Sequence, residues 1–416
     1  MSWLGLRPTA RGLTLLAIGI GITVAGAWLG EPDIAWVGLL LVLLPLLGSV
    51  IVLAFKPSLQ VDRTVEPAEV PLGGQAKMSL LLHNLRPISL AALSFKDAAP
   101  SEFEADAHFS LSRGIGRWKQ PVYYDLETEQ RGHFRLGPLS ATVHDPLGLA
   151  TRTWAVKDQQ ATLRVTPRIW ELSRLDGDMG SGSAGDATPQ RIGTAGQDDV
   201  LLREHRYGDD LRRVHWRMSA KQGELMVRLE EQPWDPAVTI LLDTRASAHV
   251  GLGPNSTLEW VISLGASVAD QLLSARHRIA IVSADSPVMA PGEVDTQSAN
   301  RHMLHRLTDL RPSPETTLLS ALADPEPFSN ARSLIAGLGV LGNTDVAALT
   351  SISDRMAECT ALVPDTRKFS LNTASARSHE EACQMLTSHG WVLQPYGPGD
   401  NIPNAWAELL AHRDAS

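Results

Sequence analysis

The stretch VTILLDTRAS, Val238–Ser247, indicates the fold of the C-terminal half of this chain. Its first five residues are apolar or β-branched without polar alternation, which is typical of a strand buried on both faces of a parallel sheet. Asp243 follows this predicted strand directly. Because open α/β sheets bind ligands beyond the carboxyl ends of their strands, functional side chains are expected just after Leu242.

Predicted strands and helices alternate after this stretch. A helix is expected over residues 256–275, where apolar side chains form one stripe, and a strand at Ile279–Val282. Later strands are predicted at residues 333–341, 359–363 and 391–394, with helices near 345–358, 377–389 and 403–412. The alternation predicts an α/β domain with a Rossmann-type parallel sheet, which we place at residues 198–416 together with the charged segment that opens it.

The first 58 residues contain two uncharged apolar runs, Leu13–Leu29 and Ile34–Phe55. Each approaches or exceeds the roughly 20 residues that a helix needs to cross a bilayer. Only the short acidic turn at Gly30–Asp33 separates them. We therefore predict a transmembrane helical hairpin over residues 1–58, with both of its ends on one side of the membrane.

The charges around the hairpin predict its orientation. Arg7 and Arg11 precede it, Lys56 and Arg63 follow it, and the turn carries no Lys or Arg. By the positive-inside rule, the bulk of the chain is cytoplasmic and the protein is a multi-pass protein of the inner (plasma) membrane. The alternative is a signal peptide cleaved near Ala25–Ala27, which would leave the second run as the anchor.

Residues 59–170 show the pattern of a small, β-rich, sandwich-like domain. Met78, Leu80 and Leu82 recur at every second position, and Pro and Gly interrupt the segment often. No catalytic cluster is visible there, so we expect a spacing or contact role. Residues 171–197 are rich in Gly and Ser, which predicts a linker before the α/β region.

The segment Arg203–Glu231 is densely charged with both signs. A helix is predicted from Asp209 or Asp210 to Gly223, followed by a strand over residues 224–230. Two interpretations remain open. The charges form an ion-pair network that fixes a loop against the sheet, or they form a recognition surface for a partner or an acidic ligand, because guanidinium groups bind carboxylates and phosphates bidentately.

This segment resembles the hallmark of the bacterial domain-of-unknown-function 58 (DUF58) family. Its signature or interaction residues are Gly208, Asp209, Arg213, His215, Trp216, Arg217, Ser219, Gly223 and Glu224. Arg131–Phe134, Gly137-Pro138 and Asp145–Leu149 resemble the β region of the same family. The resemblance implies a membrane-anchored protein with a von Willebrand factor A-like domain. It also implies a protein partner of the MoxR-type AAA+ ATPase class, and in some cases a transglutaminase-like membrane protein.

The resemblance raises the question of a metal site after the first strand. Von Willebrand factor A domains bind Mg²⁺ there with a D-x-S-x-S motif, whose carboxylate and hydroxyls suit a hard cation. This chain keeps Asp243 and Ser247 but has Arg245 in place of the middle serine. Thr316 or Thr317, and Asp345, are the candidates for the remaining ligands. The alternative is that Asp243 hydrogen-bonds the turn or pairs with Arg245, and holds no metal.

Composition and motifs disfavour several function classes. The formal net charge of −9 argues against a nucleic-acid-binding protein. Two cysteines, Cys359 and Cys383, make no disulfide framework. No lysine is followed by Ser or Thr, so a Walker A loop is absent, and there is no G-x-S-x-G motif. The segment from His379 to Cys383 is similar to a zinc-protease helix but lacks the second histidine.

The sequence therefore predicts a membrane-tethered interaction or assembly module that is not an enzyme. The family resemblance implies that its partner is an AAA+ ATPase, and that an acidic side chain of the partner would complete the coordination of any metal at Asp243. One alternative is an enzyme of unfamiliar type that uses the charged cluster from Arg206 to Arg217. Another is a structural component of the cell envelope.

Overall fold

The computed structural model describes residues 5–54, 58–85, 93–98, 103, 107–111, 117–157, 160–173, 202–204, 219–220, 226–228, 237–251, 253–290, 296–329, 331–369 and 372–415. The chain divides into two compact units. The first comprises Met1–Trp170, Val250–Ala266 and Arg301–Arg311, and the second comprises Glu171–His249, Ser267–Asn300 and Pro312–Ser416.

Two long apolar helices lie near the N-terminus, α1 (Ala10–Leu29) and α2 (Pro32–Ala54), and each is long enough to cross a membrane. The Thr9 side chain accepts a hydrogen bond from the Gly12 N–H and caps the start of α1. Gly30, at φ 75°, ends α1 in the left-handed conformation that glycine adopts without strain. The buried positions are mostly glycines, whereas the large apolar side chains face outward.

Eleven described strands belong to the first unit. They are β1 (Leu6–Pro8), β2 (Leu59–Glu66), β3 (Glu69–Pro71), β4 (Gln75–Asn84), β5 (Leu93–Asp97), β6 (Ala107–Leu111), β7 (Trp118–Glu127), β8 (Gly132–Leu136), β9 (Leu139–His144), β10 (Ala150–Ala155) and β11 (Ala161–Thr166). They form sheets in the orders β1-β10-β9-β5-β6, β2-β4-β7 and β3-β11-β8. All pairings are antiparallel except β3 with β11.

The alternation predicted around residue 80 lies on β4, where every second side chain is buried. Met78, Leu80 and Leu82 are fully buried and pack in one apolar core with residues of the other strands. Asp97 is buried beside them and forms a two-pronged ion pair with Arg63, with 2.7 Å between each nitrogen and oxygen. The Tyr124 hydroxyl also donates to Asp97. Burial and the neighbouring Asp97 raise the pKa of Tyr124, so this hydroxyl remains protonated.

The second unit contains a six-stranded sheet in the order β16-β15-β14-β17-β18-β19. Its strands are β14 (Ala237–Leu242), β15 (Arg278–Ser283), β16 (Pro287–Met289), β17 (Ala331–Gly337), β18 (Glu358–Pro364) and β19 (Val392–Tyr396). All neighbours are parallel except the edge strand β16. All six residues of β14 are buried, as the apolar run indicated for a central strand. A separate short pair joins β12 (Leu202–Glu204) to β13 (Met226–Arg228).

Seven further helices are described after β14. They are α3 (Thr257–Ser274), α4 (Thr296–Asp309), α5 (Leu319–Ala323), α6 (Glu326–Ser329), α7 (Asn343–Ser353), α8 (Thr373–Ser388) and α9 (Ile402–Ala415). Helix α4 was not predicted, although Ala299, Met303 and Leu307 are buried at a spacing of four residues. That spacing was the available signal.

One boundary differs from prediction in a way that shapes the site. The strand predicted to run to residue 341 ends at Gly337, because the backbone beyond it bonds to other partners. The Gly339 N–H donates to the Asp243 carboxylate at 3.1 Å, and the Val340 N–H donates to the Ala248 carbonyl at 2.8 Å. A run of apolar residues does not reveal such bonds, so the length of the strand predicted from the sequence is too great.

Candidate functional site at the carboxyl edge of the parallel sheet

The candidate site lies where the strand order of the six-stranded sheet reverses. On one side of β14 lie β15 and then β16, and on its other side lie β17, β18 and β19 in chain order. The direction in which successive strands are added therefore reverses between β14 and β17. Such reversal points leave a crevice at the carboxyl ends of the strands. Asp243 follows β14 directly, and Asp345 lies in the first turn of α7, the helix after β17. The topology therefore brings together two carboxylates that are far apart in sequence.

Arg245 joins these two carboxylates. Its Nε and Nη2 atoms donate to the Asp243 oxygens at 2.9 and 2.7 Å. Its Nη1 atom donates to both Asp345 oxygens at 2.9 and 3.0 Å, and to the Thr316 carbonyl at 3.2 Å. The three charged side chains are each at most 3% exposed. The planar guanidinium is thus held between two buried acids in a geometry that lysine would not reproduce.

Backbone N–H groups donate to the remaining lone pairs of both carboxylates. Asp243 accepts from the Arg245 N–H at 3.1 Å and from the Gly339 N–H at 3.1 Å. Asp345 accepts from the Leu318 N–H at 3.3 Å and from the Gly342 N–H at 2.9 Å. Each of the four carboxylate oxygens therefore accepts one bond from the guanidinium and one from the backbone. A carboxylate offers about four lone-pair sites, so both acids are saturated.

The electrostatics of the site favour the charged guanidinium. Burial lowers the pKa of Arg245, but hydrogen bonds and charge from Asp243 and Asp345 outweigh this effect and hold the pKa above its ordinary value. His249 lies beside the site, with Nε2 2.5 Å from the Asp243 carbonyl. Burial lowers the pKa of His249, against an opposing effect of Asp243, and so favours its neutral form near pH 7.

The loops around the ion pair are tied to one another by backbone bonds. The Ala246 N–H donates to the Ser313 carbonyl at 2.9 Å, and the Ser313 N–H donates to the Thr244 carbonyl at 2.7 Å. The Thr244 hydroxyl accepts from the Ala284 N–H at 3.2 Å. We call these segments, residues 243–249, 313–318 and 338–345, the sheet rim. Ser313, Gly339 and Leu318 were not predicted, since backbone donors and acceptors leave no mark on the choice of residue.

The predicted metal ligands come together only in part. Asp243 and Asp345 converge, whereas Thr316 contributes its backbone carbonyl to Arg245 and Ser247 is exposed in a short 3₁₀ turn, Ala246–Ala248. No group of three or more His, Cys, Asp or Glu side chains among the described residues is arranged to hold a metal ion. Because Arg245 places a positive charge between saturated carboxylates, these residues do not fit a divalent cation. The pairing with Arg245, the alternative raised by the sequence, is the arrangement found.

The His379–Cys383 pair lies on α8 in the same unit. The Leu341 N–H donates to His379 Nδ1 at 2.9 Å, so Nε2 carries the proton and donates to the Pro364 carbonyl at 3.1 Å. Burial lowers the pKa of His379 and raises the pKa of Cys383 to about 12. Both imidazole nitrogens therefore have backbone partners, Cys383 Sγ lies 3.5 Å from Nε2, and the thiol is protonated near neutral pH. This setting is that of a packed helix rather than of a nucleophile or a zinc ligand.

Most of the family signature lies outside the described residues. That applies to Gly208, Asp209, Arg213, His215, Trp216, Arg217, Gly223 and Glu224, and to the rest of the Arg206–Arg217 cluster. Ser219 is buried and helical, and the strand predicted at residues 224–230 is described at Met226–Arg228. The Gly- and Ser-rich linker predicted at residues 171–197 is described only as far as residue 173.

Comparisons with known proteins support the family resemblance. A family model described as "Protein of unknown function DUF58" matches residues 201–379. Among curated proteins, none matches the chain.

Several solved structures are weakly similar. The CARDB domain of the PF1109 protein from Pyrococcus furiosus is 17% identical, with 25% of this chain and 97% of that chain covered, at a TM-score of 0.18. A non-cellulosomal cohesin from Archaeoglobus fulgidus is 13% identical, with coverages of 26% and 91%, at a TM-score of 0.19. The DNA glycosylase AlkC from Pseudomonas fluorescens is 16% identical, with coverages of 33% and 39%, at a TM-score of 0.16. These scores indicate neither a shared fold nor a shared function.

Proposed function

We propose that this chain is a two-span membrane protein of the DUF58 family that serves as a tethered interaction or assembly module. One observation carries the tether. Strand β1 precedes the helical hairpin, strand β10 follows it, and the two pair antiparallel from Leu6 with Arg152 to Pro8 with Ala150. Chain segments that share a sheet lie on the same side of a membrane. Both ends of the hairpin therefore lie on one side, and we propose that α1 and α2, which are long and apolar enough to span a bilayer, cross it and return.

Contacts at the ends of the hairpin support this arrangement. The Thr9 hydroxyl donates to the Gly148 carbonyl at 2.7 Å, and the Thr9 N–H donates to the Leu149 carbonyl at 3.0 Å. Asp145 accepts from the Leu147 and Ala150 N–H groups and shapes the turn that makes these contacts. This turn is the Asp145–Leu149 motif of the family's β region. We propose that the motif positions the β sheets against the membrane surface.

The proposed orientation is cytoplasmic, at the inner membrane, because the arginines lie at the ends of the hairpin and the turn between the helices carries only acidic charges. We test it in a background where both native cysteines are replaced by serine. Glu31→Cys lies in the turn, and Ala323→Cys lies on an exposed position of the second unit. An impermeant maleimide added to intact spheroplasts should label Glu31→Cys, and should label Ala323→Cys only after permeabilisation. The reverse pattern would place the large region outside and defeat the proposal.

The proposed partner is an AAA+ ATPase of the MoxR type, as the family resemblance implies, docking on the sheet rim of a von Willebrand factor A-like domain. The strand order, with its reversal between β14 and β17, supports this choice of surface, because ligands of such sheets bind at the reversal point. The chain lacks its own Walker A loop, so the partner would supply nucleotide hydrolysis.

A photo-crosslinking residue at the exposed Ser247 tests the docking surface in native membranes. The matched control is the exposed Ala275, which precedes β15 at the opposite edge of the sheet. We expect the Ser247 probe to capture the ATPase and the Ala275 probe not to capture it. Equal capture from both positions, or capture of other proteins only, would remove the support for docking at the rim.

A further inference from the structure

We propose that Arg245 is an internal cation that takes the place of a divalent metal at the sheet rim, so that the rim is assembled without metal. This inference concerns the chemistry of the second unit alone, and it stands whether or not the proposed membrane tether and ATPase partner are correct.

The first argument is the hydrogen-bond inventory of Asp243 and Asp345. Eight bonds reach their four oxygens, with four from the guanidinium and four from backbone N–H groups. A divalent cation binds through the same oxygen lone pairs. Entry of a metal would have to displace the guanidinium from both acids at once.

The second argument is burial. The Arg245 side chain is 3% exposed, and its partners are covered as well. If Arg245 left, its charge would have to be solvated elsewhere while the rim loops rearranged around the vacated volume. An arginine at the surface can leave its partner and be solvated with little loss of free energy. Arg245 is instead enclosed by the segments that it joins.

The third argument is what the arginine connects. Its bonds run from the loop after β14 to the loop carrying Thr316 and to the first turn of α7. These are the segments that a metal shared by Asp243, Thr316 and Asp345 would join. Arg245 thus joins the same segments through a positive charge that belongs to the chain itself. No carboxylate oxygen remains free to bind a metal that an acidic side chain of a partner could also coordinate.

A latent cation site follows from this reading. Arg245→Ser restores a serine at the middle position of the D-x-S-x-S pattern and frees four carboxylate lone pairs. We therefore expect this single change to convert the rim from metal-independent to metal-dependent. The matched control is the double variant Arg245→Ser/Asp345→Asn, which lacks one of the two acids.

The test uses the full-length protein in detergent, with Mn²⁺ as the probe and paramagnetic resonance of free Mn²⁺ as the readout. The unaltered protein should leave the same free Mn²⁺ signal as its Asp243→Asn variant. Arg245→Ser should remove one Mn²⁺ per chain and melt several degrees higher with Mn²⁺ than with EDTA, and the double variant should do neither.

Two results would overturn the proposal. One is a Mn²⁺ bound by the unaltered protein and lost in Asp243→Asn. The other is an Arg245→Ser protein that folds and binds no Mn²⁺. If Arg245→Ser does not fold even with Mn²⁺, the comparison of the unaltered protein with Asp243→Asn still decides between a metal-free and a metal-bound rim.

Discussion

At the scale of single residues, the arrangement of the loops depends on charged side chains that are buried and paired. Arg245 between Asp243 and Asp345 is the main instance, and Arg63 with Asp97 is the counterpart in the β sheets of the first unit. Such pairs add little stability relative to apolar residues of the same volume, but removing one partner is costly, because the other charge stays buried and uncompensated. Their contribution is to specify one arrangement of the loops.

Arg245→Met tests this at the sheet rim. The substitution keeps an unbranched apolar stem, shorter than arginine and without the guanidinium, and leaves two buried carboxylates without a counter-charge. We expect the free energy of unfolding of the second unit to fall by about 3–5 kcal/mol, measured by chemical denaturation of the full-length protein. The exposed Arg367→Met is the control and should change stability by less than about 0.5 kcal/mol. Similar stabilities for both variants would show that the ion pair does not organise the rim.

At the scale of elements, the packing of α1 against α2 depends on small residues. A side chain at Gly26 would begin 2.6 Å from the Ala35 nitrogen, and one at Gly19 would begin 2.9 Å from the Val42 nitrogen. At Gly38 it would meet Thr23, whose hydroxyl bonds to the Gly19 carbonyl at 2.8 Å. Close backbone approach is what holds helices together in a bilayer, where apolar burial gives no advantage.

Gly38→Leu is therefore expected to separate the two helices. We expect hairpin stability to fall by about 1–3 kcal/mol, as at other overpacked sites. The measurement is the fluorescence of Trp28 and Trp36 during unfolding in SDS, in a background where the other nine tryptophans are replaced by phenylalanine. Gly21 belongs to the same hairpin, but nothing lies within 4 Å of a side chain placed there, so Gly21→Leu is the matched control. If Gly38→Leu unfolds like the control, the glycines do not set the helix spacing.

At the scale of the whole molecule, the helical hairpin is part of the fold of the first unit as well as the proposed membrane anchor. Residues 6–8 form β1 and cover the edge of β10, and α1 is capped against the turn at Gly148 and Leu149. A fragment that starts after the hairpin would lose this strand and expose an unpaired sheet edge.

Hydrogen exchange of residues 59–416 against the full-length protein tests this coupling. We expect the amides of Ala150–Thr153 to exchange faster in the fragment, because their partners in and next to β1 are gone. The inner strand β5 is paired on both sides by β6 and β9 and serves as the internal control, with unchanged protection. Unchanged exchange in β10 would show that β1 contributes nothing to the sheet.

The sequence by itself determined the features that are written locally. Hydropathy and length located both apolar helices to within a few residues, because a long apolar helix needs no distant partner to be recognised. The apolar run at Val238–Leu242 located the central strand, and its end marked Asp243 as a residue of interest. Alternation at Met78, Leu80 and Leu82 identified a half-buried strand, because side chains of a strand point to the same face at every second residue.

Only the tertiary structure decided what Asp243 does. The sequence predicted Asp243 at the end of the central strand, Arg245 at the position of the middle serine, and Asp345 as a distant acid. It left open whether a metal ion or Arg245 neutralises the carboxylates. The answer depends on Asp345, which is 100 residues from Arg245, and on backbone N–H groups of Leu318 and Gly339. Backbone donors carry no residue signature, and their direction is set by how strands and helices pack. The balance of charge at this edge of the sheet is therefore a property of the folded molecule.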